Sequence, residues 1–126
     1  MSACAEKGAI APPSAIETDL SDEQLVELAQ CLTERGWVAY ASFTCSACRM
    51  QRSSFREAFD FIQEVECNPT ADDAEPERCL AARLTETPTW ILELDGTEVR
   101  RLAGYRSPEE LAAESACVAP KVPGTD

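Results

Sequence analysis

The tightest constraint in this chain is the passage WVAYASFTCSACRM, residues 37–50. A run of aromatic and small apolar residues, bounded by Gly36, leads straight into two cysteines three positions apart. The run reads as a buried strand over residues 37–43. Downstream, Met50, Phe55, Ala58, Phe59 and Ile62 recur at helical spacing, which predicts a helix over residues 46–62 with the cysteine pair in its first turn. Cys45 then sits at a helix start, where unpaired backbone N–H groups and the helix dipole favour a thiolate. Cys48 lies one turn later on the same face. Three uses fit this pair: a redox couple in which Cys45 attacks and Cys48 resolves, half of a metal site, or a structural staple.

The flanking sequence supplies the rest of one domain. Residues 1–19 carry small residues and a Pro-Pro pair without sustained periodicity and read as a flexible lead. Ser21 and Gln24 form a capping-box pattern before Leu25, Leu28, Ala29 and Leu32, so a helix is expected over Asp22–Arg35, stopped by Gly36. EVEC, residues 64–67, is a brief strand ended by Asn68-Pro69. A polar loop leads to a short helix over residues 77–84 that carries Cys79. TPTWILEL, residues 87–94, and TEVRRLAG, residues 97–104, are strands joined by an Asp95-Gly96 hairpin turn. Ser107, Pro108 and two glutamates open a last helix that runs to about residue 116, and residues 118–126 read as a loose tail. The order α β α β α β β α predicts a mixed central sheet of about four strands covered on both faces, with the domain spanning residues 20–117.

Composition removes several function classes. A net charge of −12 opposes binding to nucleic acid or to anionic lipid. With no histidine in 126 residues, imidazole bases and histidine ligands are excluded. No stretch reaches the roughly 20 apolar residues of a membrane span, and no signal peptide is visible at the N-terminus. Nothing here cradles phosphate, and no paired carboxylates suggest hydrolysis. Seven cysteines are many for a reducing cytosol and favour an oxidising compartment or dedicated thiol chemistry.

Cys67 ends a strand and Cys79 sits on the next helix. A disulfide between them would be structural or a second redox couple, and free buried thiols are the alternative. A four-cysteine zinc site from Cys45, Cys48, Cys67 and Cys79 is disfavoured, because only the first pair has knuckle spacing, so no metal is expected. Thr87-Pro88 is either an ordinary trans proline at an edge strand or a cis proline presenting a backbone edge to an extended peptide.

Taken together, VAYASFTCSAC, VECNP and TPTWILELDGTEVRRLAG resemble the thioredoxin superfamily over about residues 20–117. Within it, VECNP followed by Cys79 and TPTWIL looks most like the thioredoxin-like domains associated with bacterial and plant vitamin K epoxide reductase homologues. The resemblance implies a thioredoxin-like α/β fold with a βαβ unit and a C-terminal ββα unit. It implies disulfide exchange by Cys45 and Cys48 with cysteine-containing protein partners, without a bound cofactor, and a cis Pro88. Thr87, Pro88 and Thr44 would shape the substrate groove, and Cys67 and Cys79 could relay. It further implies a vitamin K epoxide reductase-like membrane partner, and a periplasmic or thylakoid-lumen location. In such an arrangement the helices carrying Cys31 and Cys117 would cover opposite faces, so these two are not expected to pair. Three departures stand out: Thr44 replaces the usual aromatic before the first cysteine, Ser46-Ala47 lies between the pair, and Ala39 stands where thioredoxins bury an acid. SAC, ending at Cys4, resembles a lipoprotein cleavage site, which would make Cys4 a lipid-anchor position. The rival is a non-catalytic binding module on the same scaffold, with the cysteines as permanent staples.

Overall fold

The computed structural model describes residues 18–117. The expectations of a flexible lead, apart from residues 18 and 19, of a loose C-terminal tail and of an anchor at Cys4 therefore fall outside the described residues.

Helix α1, Asp22–Arg35, begins and ends where its caps dictate. Ser21 accepts from the Gln24 N–H and the Gln24 side chain accepts from the Ser21 N–H, closing the capping box. Gly36 ends the helix in a left-handed conformation at φ 105°. A Cβ there would lie 2.5 Å from the Glu93 carbonyl oxygen, so this turn requires glycine on two counts. Strand β1, Trp37–Ala41, follows at once and is buried along its whole length.

Helix α2 runs over Ser46–Phe55, and the chain then tightens into a 3₁₀ turn, Arg56–Phe61. The single long helix expected over residues 46–62 is thus broken. Arg56 adopts φ 53°, and its guanidinium donates to the Asp22 carboxylate at 2.7 Å and the Leu20 carbonyl at 3.2 Å. Strand β2, Gln63–Glu66, and helix α3, Pro76–Ala82, come next. Strands β3, Thr89–Leu94, and β4, Thr97–Ala103, form the hairpin, with positive φ at both Asp95 and Gly96 as a primed turn requires. Helix α4, Pro108–Ser115, has a second capping box between Ser107 and Glu110. Among the described residues no helix is long and apolar enough to cross a membrane.

The sheet order is β2-β1-β3-β4. β1 and β2 are parallel, pairing Ala41 with Glu66, and the other two contacts are antiparallel. β1-α2-β2 is the βαβ unit and β3-β4-α4 the ββα unit, which is the thioredoxin-like α/β fold. Alternation along the strands divides the core. Trp37, Ala39, Trp90 and Leu102 pack with α1, α2, the 3₁₀ turn and α4. Val38, Tyr40, Val65 and Ile91 pack with Cys79 of α3 on the other face.

Among the described residues, two disulfides close within this frame. Cys67–Cys79 joins the end of β2 to α3. Cys31–Cys117 joins α1 to the end of α4. The second corrects the expectation that these two would not pair. Helices α1 and α4 lie on the same face of the sheet and share one apolar cluster, which brings Cys31 and Cys117 together.

Candidate functional site: a cysteine pair at a helix start

β1 ends at Ala41, earlier than the expected residue 43, because the next three amides turn away from the sheet. The Ser42 N–H reaches Cys48 Sγ at 3.4 Å, the Phe43 N–H goes to Glu66 Oε2 at 3.1 Å, and the Thr44 N–H goes to Ser42 Oγ at 3.3 Å. The Cys45 N–H then donates to the Ser42 carbonyl, completing a tight exit loop. Cys45 emerges as the N-cap of α2, its sulfur accepting the Cys48 N–H at 3.2 Å.

α2 is fastened beneath the loop by Gln51, which is 1% exposed. Its carbonyl oxygen accepts from Trp90 Nε1 at 3.1 Å and from the Arg106 N–H at 3.0 Å. Its amide donates to the Arg106 carbonyl at 2.7 Å. One buried side chain thereby ties the helix to β3 and to the loop before α4, and its polar atoms are satisfied.

The two thiols occupy unlike surroundings. Cys45 is half-buried and Cys48 is 1% exposed, and neither is in a disulfide. Burial pushes the Cys45 thiol up, but hydrogen bonds from the Cys48 and Thr87 side chains and from the Cys48 and Ala47 N–H groups outweigh it. The net shift is downward. Cys48 goes the other way. Burial and its contact with Cys45 push it up to about 12, against a smaller downward pull from the Ser42 N–H and Thr87. The surroundings favour the thiolate at the outer sulfur and the thiol at the inner one.

Thr87 and Pro88 lie directly against the pair. The Thr87–Pro88 peptide bond is cis, and the Cys45 thiol meets the Thr87 carbonyl at 3.3 Å. Thr44 is exposed beside Cys45, with its hydroxyl near Ser42 Oγ at 2.9 Å and Asn68 Nδ2 at 3.4 Å. A cleft of about 520 Å³ runs from the Cys67–Cys79 bridge to Thr87, lined by Pro69, Pro76, Leu80 and Leu84. Leu80 is 77% exposed at this cleft, and Phe43 is exposed on the loop before the cysteines. Cys67 and Cys79 are bonded to each other, so they offer no thiolates to a four-cysteine metal set.

Glu66 and Ser42 were not singled out by the sequence. Glu66 is a carboxylate at the buried end of β2, between Val65 and Cys67. An acid in that apolar company, one residue before a cysteine and two before Asn68, is the signal that could have marked it.

A thioredoxin-like domain with a Cys-x-x-Cys pair at the first helix after β1 and a cis proline opposite is the class this arrangement defines. No family model matches the sequence. Two solved structures are similar to it at a distance. One comes from a study of the thiol-resolving mechanism in yeast mitochondrial 1-Cys peroxiredoxin via glutathione and thioredoxin systems, at 18% identity over 82% of this chain and 93% of that chain, with a TM-score of 0.44. The other is oxidised mitochondrial thioredoxin 3 from Saccharomyces cerevisiae, at 18% identity over the same shares, with a TM-score of 0.43. The chemistry of the site rests on its own geometry.

Proposed function

We propose that this protein is a thiol–disulfide oxidoreductase acting on cysteine-containing proteins. The observation that carries the reading is the asymmetry of the pair. Cys45 is accessible, capped by helix N–H groups and lowered in pKa, while Cys48 is buried one turn behind it and raised. In the reducing direction the Cys45 thiolate attacks a partner disulfide, forming a mixed disulfide and releasing one partner thiolate. Capture of Cys45 removes the thiol contact that helps hold the Cys48 proton. Cys48 then loses its proton and attacks Cys45 Sγ, releasing the second partner thiolate. Two electrons have passed to the partner, and a Cys45–Cys48 disulfide remains. The oxidising direction is the reverse.

Thr87, Pro88 and Thr44 would line the partner's path, and the apolar cleft with Leu80 suits an extended protein segment better than a small thiol. A vitamin K epoxide reductase-like membrane protein is the proposed partner, on the sequence resemblance. Two closed bridges favour an oxidising compartment, with the periplasm or the thylakoid lumen proposed on the same resemblance.

Replacing Cys48 with Ser leaves a nucleophile with no resolving thiol. This variant should accumulate mixed disulfides through Cys45, seen as reducible adducts on non-reducing gels, and Cys45→Ser should abolish them. A Cys45–Cys48 potential between about −120 and −270 mV agrees with exchange; one below about −300 mV, with no trapped partner, makes the pair a staple and returns the binding-module reading.

A further inference from the structure

We infer that Glu66 is a positioning residue for the resolving thiol: its buried carboxylate anchors the exit loop of β1 so that the Ser42 N–H points at Cys48 Sγ. The inference rests on the exchange reading of Cys45 and Cys48 and adds to it the device that makes resolution possible.

The Thr44 N–H and the Cys45 N–H both return to Ser42, so these bonds travel with the loop and cannot fix it relative to the sheet. The Phe43 N–H leaves the loop. It donates to Glu66 Oε2 at 3.1 Å, and the same oxygen accepts the Asn68 N–H at 3.0 Å. Asn68 returns a weaker contact from Nδ2 to Thr44 Oγ1 at 3.4 Å. Glu66 is thus the main tie from the β2 end to the peptide that follows Ser42.

Glu66 itself is held firmly. It sits opposite Ala41 in the parallel ladder, where the Cys67 N–H donates to the Ala41 carbonyl at 2.8 Å; that bond holds the far side of the planar Ala41–Ser42 peptide, and Glu66, through the Phe43 N–H, holds the peptide on the other side of Ser42. The Glu75 N–H donates back to the Glu66 carbonyl at 2.8 Å, and the Cys67–Cys79 bridge clamps the next residue to α3. The side chain is 7% exposed and, among the described residues, makes no ion pair. A buried carboxylate needs compensation, and here two backbone N–H groups supply it.

The consequence falls on one step. The Ser42 N–H is the first donor that opposes burial in favouring the Cys48 thiolate. Cys45 draws its donors from the start of α2 and from Thr87, none of which passes through Glu66. Loosening the loop should therefore slow resolution and spare attack. Ala39 on β1 offers no proton acceptor, and Glu66 acts from the neighbouring strand through a backbone N–H.

The test uses the reduced full chain and a small aromatic disulfide, 5,5′-dithiobis(2-nitrobenzoate). Attack by Cys45 releases one coloured thiolate and leaves an aryl mixed disulfide on Cys45. Attack by Cys48 releases the second and closes the Cys45–Cys48 bond, so the two electrons of the dithiol appear as two aryl thiolates. Stopped-flow absorbance separates the phases. Glu66→Ala should slow the second phase about tenfold, the scale of losing one hydrogen bond to a developing charge. The first phase and its pH profile should stay at wild-type values. Glu66→Gln, which keeps an acceptor, should bring the second phase back to within about threefold of wild type.

An unchanged second phase in Glu66→Ala, equal slowing of both phases, or a Glu66→Gln as slow as Glu66→Ala would each overturn the inference. If Glu66→Ala does not fold, Glu66→Met keeps the length without the acceptor and is read in its place. Hydrogen exchange in the unmodified protein gives a separate reading, since the Phe43 amide must be protected, and free exchange there also overturns the inference. A wild type that releases two thiolates, alongside a Cys48→Ser variant that traps no protein partner, refutes the proposed function and leaves this inference standing.

Discussion

The two faces of the sheet are built on different terms. On one, α1, α2, the 3₁₀ turn and α4 bury a broad apolar cluster around Trp37, Phe55 and Trp90. On the other, α3 alone covers Val38, Tyr40, Val65 and Ile91, and the gap is filled with polar contacts. There the Tyr40 hydroxyl donates to the Glu93 carboxylate, and Arg78 bonds Glu93 at 3.0 Å while lying 5.7 Å from the centre of the Tyr40 ring. Each face carries one disulfide. The bridge on the broad face spans 86 positions and joins two helices that already pack together. The bridge on the thin face spans 12 positions and sits at the edge of the cleft that leads to Thr87. The same bond serves the stability of the whole domain in one place and the shape of the site in the other.

Removing the bridges separates these roles. On chain entropy, Cys31→Ala with Cys117→Ala should cost roughly 4.5 kcal/mol and Cys67→Ala with Cys79→Ala roughly 3 kcal/mol, both read from urea melts. The first pair should leave both phases of exchange at wild-type rates in the protein that remains folded. The second should slow resolution, because it frees the segment that carries Glu66. A comparison broken in either respect, by a kinetic effect from Cys31–Cys117 or none from Cys67–Cys79, would mean that the faces are not divided in this way.

A smaller effect sharpens the contrast through pH. In the reduced protein, alkylation of Cys45 should rise with a midpoint below the ordinary thiol value of 9.0, while Cys48, pushed up to about 12 so long as Cys45 is free, should react only after it. The signs for stability are opposite. The depressed pKa of Cys45 stabilises the folded reduced form as pH rises towards 9.0, and that gain is lost as pH falls through the folded value. The raised pKa of Cys48 contributes fully below 9.0 and is lost between 9.0 and about 12. Tyr40 and Tyr105, both raised by burial first, act in the same direction at high pH. Comparison with the oxidised protein, which has neither thiol to titrate, cancels them: the stability of the reduced form relative to the oxidised form should fall as pH rises from 9.0 towards about 12. A relative stability that rises there assigns the two thiols the wrong way round. The smallest effect belongs to the thin face: Tyr40→Phe should cost about 1 kcal/mol in a denaturant titration, since Glu93 keeps Arg78.

The sequence disclosed those elements whose ends are written in local chemistry. The capping box at Ser21 and Gly36 bounds α1 at the expected residues, and Asp95-Gly96 turns the hairpin where expected. The break after Phe55 was hidden because α and 3₁₀ turns both bury residues three apart, so Phe55, Ala58 and Phe59 fit either. The Cys31–Cys117 bond was hidden because it depends on which face α4 joins, a matter of packing between distant segments. At the site, Cys45 and Cys48 are adjacent in sequence and therefore legible, and the geometry brings Thr87 and Pro88 to them from 42 positions away. Glu66 escaped notice because a single acid in a strand reads as a solvent-facing side chain until the fold turns it inward.

The connectivity also sets an order of events during synthesis. Among the described cysteines, Cys31 emerges first and Cys117 last, and Cys45, Cys48, Cys67 and Cys79 all appear in between. Oxidation in order of appearance would join Cys31 to Cys45 and Cys48 to Cys67, leaving no correct bond and blocking the nucleophile. The native pattern requires Cys31 to pass over four thiols and wait for nearly the whole domain. Reshuffling of such early bonds takes seconds to hours depending on oxidant and isomerase. A chain wired in this way calls, while it is being made, for the same exchange chemistry proposed for its own cysteine pair.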